Sequence, residues 1–172
     1  MKLYLSFLVL LMSYSCASTE CLEFRHKKLL IYNDEINIKI SPIKNKNLAK
    51  IDVKYYNPII ESAKPKGLRI LSNNKVSYTK KIHLKDYLEI INTLDQINQE
   101  DLNYPKTFVD SSGSSYVQFS GFDGGINSIS YKKGRLRSNF FTQGLVKDLH
   151  RNFYETIELI IKHTDIDFEK IN

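Results

Sequence analysis

The sequence is poor in three residue types, each of which would point to a special class of protein if abundant. Among 172 residues there are only 2 Cys, 4 Pro and 7 Gly. Two cysteines exclude a disulfide-dense scaffold and a cysteine-rich zinc fold. The scarcity of Gly and Pro, together with 11 Tyr and 9 Phe, excludes a collagen-like polymer and a mostly disordered chain. What remains is a chain of the right length to bury the core of one globular domain.

The first residues predict an export signal. Lys2 precedes an apolar block at residues 3–12, and the small residues Ser13 and Ser15 come just before Cys16. A block of about ten residues matches the apolar core of a signal peptide and is much shorter than the ~20 residues that span a bilayer. We therefore assign residues 1–15 to a signal peptide, 16–25 to a tether and 26–172 to a single globular domain.

The stretch Met12-Ser13-Tyr14-Ser15-Cys16 resembles the lipobox of bacterial lipoproteins. The resemblance implies that Cys16 becomes the lipidated first residue of the mature chain and anchors it to a membrane. The protein would then face the periplasm or the cell surface, and Cys21 would be an unpaired thiol. The alternative is cleavage by ordinary signal peptidase after Ser15 or after Ala17, which gives a secreted or periplasmic protein. A Cys16–Cys21 bridge would then close a very small loop.

Hydrophobic periodicity predicts an α+β fold. Residues 35–40 and 51–56 alternate apolar and polar side chains, as half-buried strands do. Apolar residues at three- and four-residue steps predict amphipathic helices at 84–98 and 146–163. Short connections between the strands imply antiparallel pairing. We expect an antiparallel sheet of short strands with both helices packed on one face. Further strands are predicted at 68–71, 75–82, 116–120, 126–131 and 135–141, with turns at 72–74, 121–125 and 132–134.

The positive charge is concentrated in one part of the sequence. The chain has 25 Lys+Arg and 19 Asp+Glu, and residues 39–85 alone hold twelve basic and two acidic side chains. Such a segment predicts a surface that binds an anionic partner. The candidate contact residues are Lys44, Lys46, Lys54, Tyr55, Tyr56, Lys64, Lys66 and, in a glycine-rich turn, Phe122. The alternative explanation is that lysines on edge strands prevent sheets from associating.

No pattern in the sequence predicts a catalytic or metal centre. The four histidines have neither the i,i+4 spacing of a helical metal pair nor a cysteine partner at zinc-finger spacing. The serine-rich segment 111–115 contains no G-x-S-x-G elbow, and the glycines at 121–125 lack the lysine of a phosphate-binding loop. We therefore assign no catalytic residue, no metal ligand and no cofactor.

These observations favour a small exported, lipid-anchored binding protein of the bacterial cell envelope, without enzymatic activity and of the immunity, inhibitor or adaptor type. Its partner would be another envelope or secreted protein, and the lipid on Cys16 would hold it to the membrane. Nucleic acid is disfavoured because export removes the chain from most nucleic acid and lysine far outnumbers arginine. The alternatives are an envelope hydrolase acting on cell-wall or glycan substrate and a structural component of an envelope assembly.

Overall fold

The computed structural model describes residues 20–27, 35–63, 67–103, 106–109, 111–118 and 125–168. Their main feature is an antiparallel sheet of six strands in the order β4-β3-β2-β1-β7-β8. These strands are β1 (Cys21–Lys27), β2 (Glu35–Pro42), β3 (Leu48–Ala63), β4 (Gly67–His83), β7 (Ile126–Lys133) and β8 (Leu136–Gln143). A separate pair, β5 (Lys106–Val109) with β6 (Ser115–Gln118), forms a second small sheet.

Two amphipathic helices pack against the large sheet, α1 (Leu84–Leu94) and α2 (Arg151–Lys162). Each buries the apolar stripe that its sequence presents. The two helices contact each other as well as the sheet, and the Asn152 side chain donates a hydrogen bond to the Gln96 carbonyl beyond the end of α1. The predicted α+β class is therefore confirmed.

The core lies between the helices and one face of the sheet. Every second residue of the central strands points into it, beginning with Leu22 and Phe24 on β1, both fully buried. Ile38 and Ile40 on β2 and Ile51 on β3 continue the same layer. Burial of this many aliphatic side chains is the main favourable term for folding, at roughly 25 cal/mol per Å² of apolar surface.

The predicted tether is too long. Residues 21–25 were assigned to it, but they belong to β1, which lies in the interior of the sheet between β2 and β7. The reason is visible in the alternation of Leu22, Phe24 and His26, all three of which are buried on the helix side. Residues 21–25 therefore belong to the folded domain.

The turn predicted at residues 72–74 is also wrong. Asn73 pairs with Pro58 and Asn74 pairs with Asn57, so β4 continues through this segment as one long strand. The two strands remain paired as far as Ala63 and Gly67. The turn predicted at 132–134 overlaps the observed turn at Gly134 and Arg135, because β7 extends to Lys133 and β8 begins at Leu136.

Both helices are shorter than predicted. The first ends at Leu94, after which Asp95 and Gln96 form a turn and a 3-10 helix follows at Gln99–Leu102. The second begins at Arg151 rather than 146, because the preceding residues form a turn in which the Val146 N–H donates to Nδ1 of His150. No helix among the described residues combines the length and the apolar character that crossing a membrane requires.

Candidate functional site

The candidate site is the face of the six-stranded sheet that the helices leave open. Alternation along each strand separates the two faces, because successive side chains of a strand point in opposite directions. On β1 the residues that alternate with the buried ones are Cys21, Glu23, Arg25 and Lys27. We call this surface the open face.

The strand register arranges the open face in rows that cross the sheet. One row crosses the sheet in two paired runs, Lys81–Lys50–Ser41 on β4, β3 and β2 and Cys21–Lys132–Arg137 on β1, β7 and β8. This row contains four basic residues and no acidic one. Where the structure describes the side chains of this face, basic residues outnumber acidic ones three to one: Arg25, Lys27, Lys39, Lys50, Lys54, Lys75, Lys81, Lys132 and Arg137 against Glu23, Glu35 and Asp52.

Two of the three acidic residues are neutralised by their neighbours. Glu23 accepts hydrogen bonds of 2.8 Å from Arg25 Nε and from Asn37 Nδ2, and Lys39 Nζ lies 3.6 Å away. Burial opposes ionisation of this carboxyl, but the bonds from Asn37 and Arg25 outweigh it and lower its pKa. Glu23 is thus an anion held among basic residues, and the net charge of the face stays positive.

Asp52 is held in the same way. Its carboxylate lies 2.8 Å from Lys50 Nζ and accepts a 2.6 Å hydrogen bond from the Thr79 hydroxyl. Burial again opposes ionisation, and the bonds from Lys50 and Thr79 again prevail, so the pKa of Asp52 lies below its usual value. Both carboxylates are engaged within the face, whereas Lys54 and Lys81 extend into solvent.

A shallow depression of about 330 Å³ lies at the Cys21 end of the open face. Burial is the main cause that raises the pKa of the Cys21 thiol, so the residue stays a neutral thiol at neutral pH. The raised pKa of Cys21 disfavours a thiolate nucleophile there, and the lowered pKa of Glu23 disfavours a role as general acid at neutral pH. The depression is lined by Cys21, Glu23, Ser130, Tyr131, Lys132, Arg137 and Asn139.

The structure brings together only some of the contact residues predicted from the sequence. Lys54 and Tyr56 lie on the open face, where the Tyr56 ring has Lys75 Nζ 5.8 Å from its centroid. The grouping of Tyr55 with them is wrong, because its side chain lies on the opposite face and packs against the core. Lys44 and Lys46 are exposed in the β2–β3 turn at one end of the sheet. The remaining predicted site residues, Cys16, Lys64, Lys66 and Phe122, lie outside the described residues.

Sequence analysis missed four basic residues of the open face. Arg25, Lys27, Lys132 and Arg137 fall outside the basic segment 39–85, yet the register places them on the same surface. The edge-strand explanation covers only part of the face. Lys75, Lys81 and Arg137 lie on the outermost strands, whereas Lys39, Lys54 and Lys132 lie on interior ones.

Exposed apolar side chains accompany the lysines. Tyr56, Ile126 and Phe141 are 37%, 39% and 59% exposed, and all three belong to the open face. Ile126 and Phe141 are diagonal neighbours on β7 and β8, because Ile126 pairs with Gln143 and Ser128 pairs with Phe141. Aromatic residues are enriched in protein–protein interfaces, and the lysines around them attract an acidic partner during the encounter.

The opposite side of the molecule is acidic. A groove between α1 and α2 is lined by Glu89, Glu155 and Glu158, with Lys162 at its margin. The described domain therefore places a basic sheet face opposite a helix layer whose groove is acidic. Such an arrangement orients the protein in the field of a charged partner before contact.

The buried polar residues have structural roles. His26 and Asn127 are fully buried on neighbouring strands, and His26 Nδ1 lies 2.8 Å from Asn127 Oδ1.

In the part of the chain that the structure describes, no three His, Cys, Asp or Glu residues gather closely enough to hold a metal ion. The chain matches no protein-family model, and neither a curated protein nor a solved structure gives a significant match.

Proposed function

We propose that this chain is an exported binding protein of the bacterial cell envelope, anchored by lipid on Cys16, whose open face captures an acidic surface of another envelope or secreted protein. The observation that carries the proposal is the charge polarity of the described domain. Basic residues dominate one flat face, and acidic residues line the groove on the other side. A protein of the immunity, inhibitor or adaptor type works by such a contact and needs no catalytic centre.

The open face has the physical properties of a docking surface. Its side chains project from hydrogen-bonded strands, so little backbone ordering is required on binding. Exposed lysines speed the encounter with an acidic partner, while Tyr56 on β3 and Phe141 on β8 offer exposed apolar area for the contact. Glu23 and Asp52 are already engaged by neighbouring donors and add polar specificity without cancelling the positive field.

The lipid anchor is tested by metabolic labelling with radiolabelled palmitate. We expect label in the wild-type chain and none in Cys16→Ser. Cys21→Ser is the matched control, because it removes the other cysteine and should label normally. Wild-type chain without label, or equal label in Cys16→Ser, would contradict the lipoprotein assignment.

Partner binding is tested by affinity capture from the native envelope followed by quantitative mass spectrometry. The test variant is Lys54→Glu/Lys75→Glu, which reverses two exposed charges of the open face. The control is Lys147→Glu/Lys162→Glu, which changes the net charge equally on the helix side. We expect the wild type and the control to capture the same acidic protein. The test variant should capture at least about tenfold less of it, since charges at an interface govern association. Equal capture by both variants would contradict the proposal.

A further inference from the structure

The end of the sheet at which β1 begins is a second basic surface, distinct from the open face. Three features meet there: the β2–β3 turn, the first residues of α1 and the tip of the β7–β8 hairpin. Their proximity follows from the pairing of Cys21 with Lys132 and from the hydrogen bond between the Leu84 N–H and the Asn47 carbonyl. We call this surface the rim. Its exposed basic residues are Lys44, Lys46, Lys85, Lys133 and Arg135, and Lys132 and Arg137 of the open face border it.

Few acidic groups offset the positive charge of the rim. Glu20 is engaged by the hydroxyls of Tyr87 and Tyr131 and lies 3.5 Å from Lys133 Nζ. Asp165 lies at the helix-side margin, where it pairs with Lys80. Asp86 lies in the first turn of α1, next to Lys85. The basic residues of the hairpin tip and of the β2–β3 turn therefore keep a positive field that faces outward along the strands.

An apolar side chain stands in the middle of the hairpin tip. Leu136 is 72% exposed and is flanked in sequence by Arg135 and Arg137. It follows directly on the turn at Gly134, which adopts a φ of 61°. A protruding leucine between arginines is suited to the boundary between lipid headgroups and acyl chains, where the apolar group inserts and the cations meet phosphates.

The position of Glu20, near the candidate lipid site at Cys16, indicates which partner this surface meets. Glu20, the first described residue, lies at the rim, and Cys16 is only five residues before Cys21. Five residues span at most about 17 Å when fully extended. A lipid on Cys16 would keep the rim within that reach of the membrane surface, so the rim can approach to within one Debye length, about 10 Å, where electrostatic attraction acts.

We propose that the rim docks on anionic phospholipid headgroups, with Leu136 inserted at the interface, so that the open face stands away from the bilayer and is available to its protein partner. This proposal rests on the proposed function, because the lipid on Cys16 supplies the proximity. It assigns the basic surfaces to different partners: the rim to the membrane and the open face to protein. Lys44 and Lys46, predicted from the sequence as partner contacts, then belong to the membrane surface.

The absence of tryptophan from the chain provides a clean spectroscopic test. The full chain carrying Leu136→Trp is reconstituted with phosphatidylcholine vesicles and with mixed phosphatidylcholine–phosphatidylglycerol vesicles. On the mixed vesicles we expect the emission to shift to shorter wavelength and brominated acyl chains to quench it. Phe141→Trp is the control, since it places the reporter at the far end of the same strand, where we expect no change. Emission from Leu136→Trp that stays solvent-exposed on mixed vesicles would overturn the proposal.

Charge reversal gives an independent readout. Lys44→Glu/Lys46→Glu should lower the preference for mixed over neutral vesicles by at least about 25-fold, since each basic residue near an anionic surface contributes about fivefold and the two losses multiply. Lys54→Glu/Lys75→Glu has the same net charge and lies on the open face, so it should keep most of the preference. Equal losses in the two variants would overturn the assignment of the rim.

Flotation with neutral vesicles separates this proposal from the lipid anchor. A lipidated chain floats with phosphatidylcholine alone, whatever happens at the rim. Failure to float there contradicts the anchor, and in that case a shift of Leu136→Trp confined to mixed vesicles still supports the rim. Equal flotation with the two vesicle types would support the lipid anchor on Cys16 and would overturn the proposal that the rim binds anionic lipid.

Discussion

The hydroxyl of Tyr131 donates a hydrogen bond of 2.8 Å to the same carboxylate oxygen of Glu20 that accepts a 3.0 Å bond from Tyr87. Tyr131 lies on β7 and the buried Tyr87 on α1, so Glu20 joins the helix layer to the sheet where the chain enters the fold. Burial, reinforced by this anion, raises the pKa of both phenols and keeps them as donors at every physiological pH.

Loss of the Glu20 carboxylate should destabilise the domain. In Glu20→Ala the hydroxyl of Tyr87 loses its partner in a buried position, and we expect a loss of about 1–3 kcal/mol in the free energy of unfolding. Urea denaturation measures it. Glu155→Ala is the matched control, because its partner Arg151 is 81% exposed and such a pair is worth at most about 1 kcal/mol. Equal losses in the two variants would contradict the bridging role of Glu20.

The contact between Gly125 and His26 predicts an intolerance to any side chain at position 125. A Cβ added there would overlap His26 Cε1 and would lie 3.0 Å from the Lys27 carbonyl oxygen. We expect Gly125→Ala to cost about 1–3 kcal/mol, as overpacking of a close-packed core does. His26→Ala removes the ring that the added methyl would meet. The double variant should therefore be more stable than the sum of the two single losses predicts, and strict additivity would contradict the contact.

The anchored carboxylates of the open face predict a pH dependence of stability. The pKa values of Glu23 and Asp52 are lower in the folded protein than their ordinary values of 4.5 and 3.8. For such groups the stabilisation is present above the unfolded-state pKa and is lost as pH falls through the folded-state pKa. In Glu23→Gln, position 23 has no carboxylate to titrate. The difference in urea midpoint between wild type and variant should therefore narrow as the buffer is acidified from neutral pH past 4.5, and a constant difference would contradict the anchoring of Glu23.

The chemistry of Cys21 discriminates between a binding protein and a thiol-dependent hydrolase. Burial raises the pKa of its thiol, so alkylation by iodoacetamide near neutral pH should be several times slower than that of a solvent-exposed cysteine. Site-resolved mass spectrometry of the alkylated chain measures the rate, with Ser77→Cys as an exposed reference on β4. Alkylation of Cys21 faster than that of the reference would reveal an activated thiol and favour the hydrolase.

Much of the fold could be predicted because side-chain periodicity reports burial directly. The alternation of Ile36, Ile38 and Ile40 and the apolar stripe of α2 are patterns that a solvent-exposed face would not preserve. The turn at 72–74 was misplaced because Asn tolerates turn conformations, whereas here Asn73 and Asn74 pair with the neighbouring strand. A local preference of this kind is overridden by a long partner strand.

The candidate site could be predicted only in part, because a sheet face is assembled by register. Lys54 and Tyr56 were identified from a basic segment, but Arg25 and Lys132 join them only when β1 is placed between β2 and β7. The alternation of Leu22, Phe24 and His26 was a signal for that strand and was obscured by the preceding export segment. Which strands become neighbours depends on long-range pairing, on which a single sequence carries little information.

The central claim is that the open face is the surface that meets the protein partner. The most direct measurement is photocrosslinking in living cells, with a photoreactive amino acid at Tyr56 on the open face or at Leu88, which is 47% exposed on α1. The account predicts one prominent adduct with an acidic envelope protein from position 56 and none from position 88. An adduct from position 88 with no adduct from position 56 would contradict it.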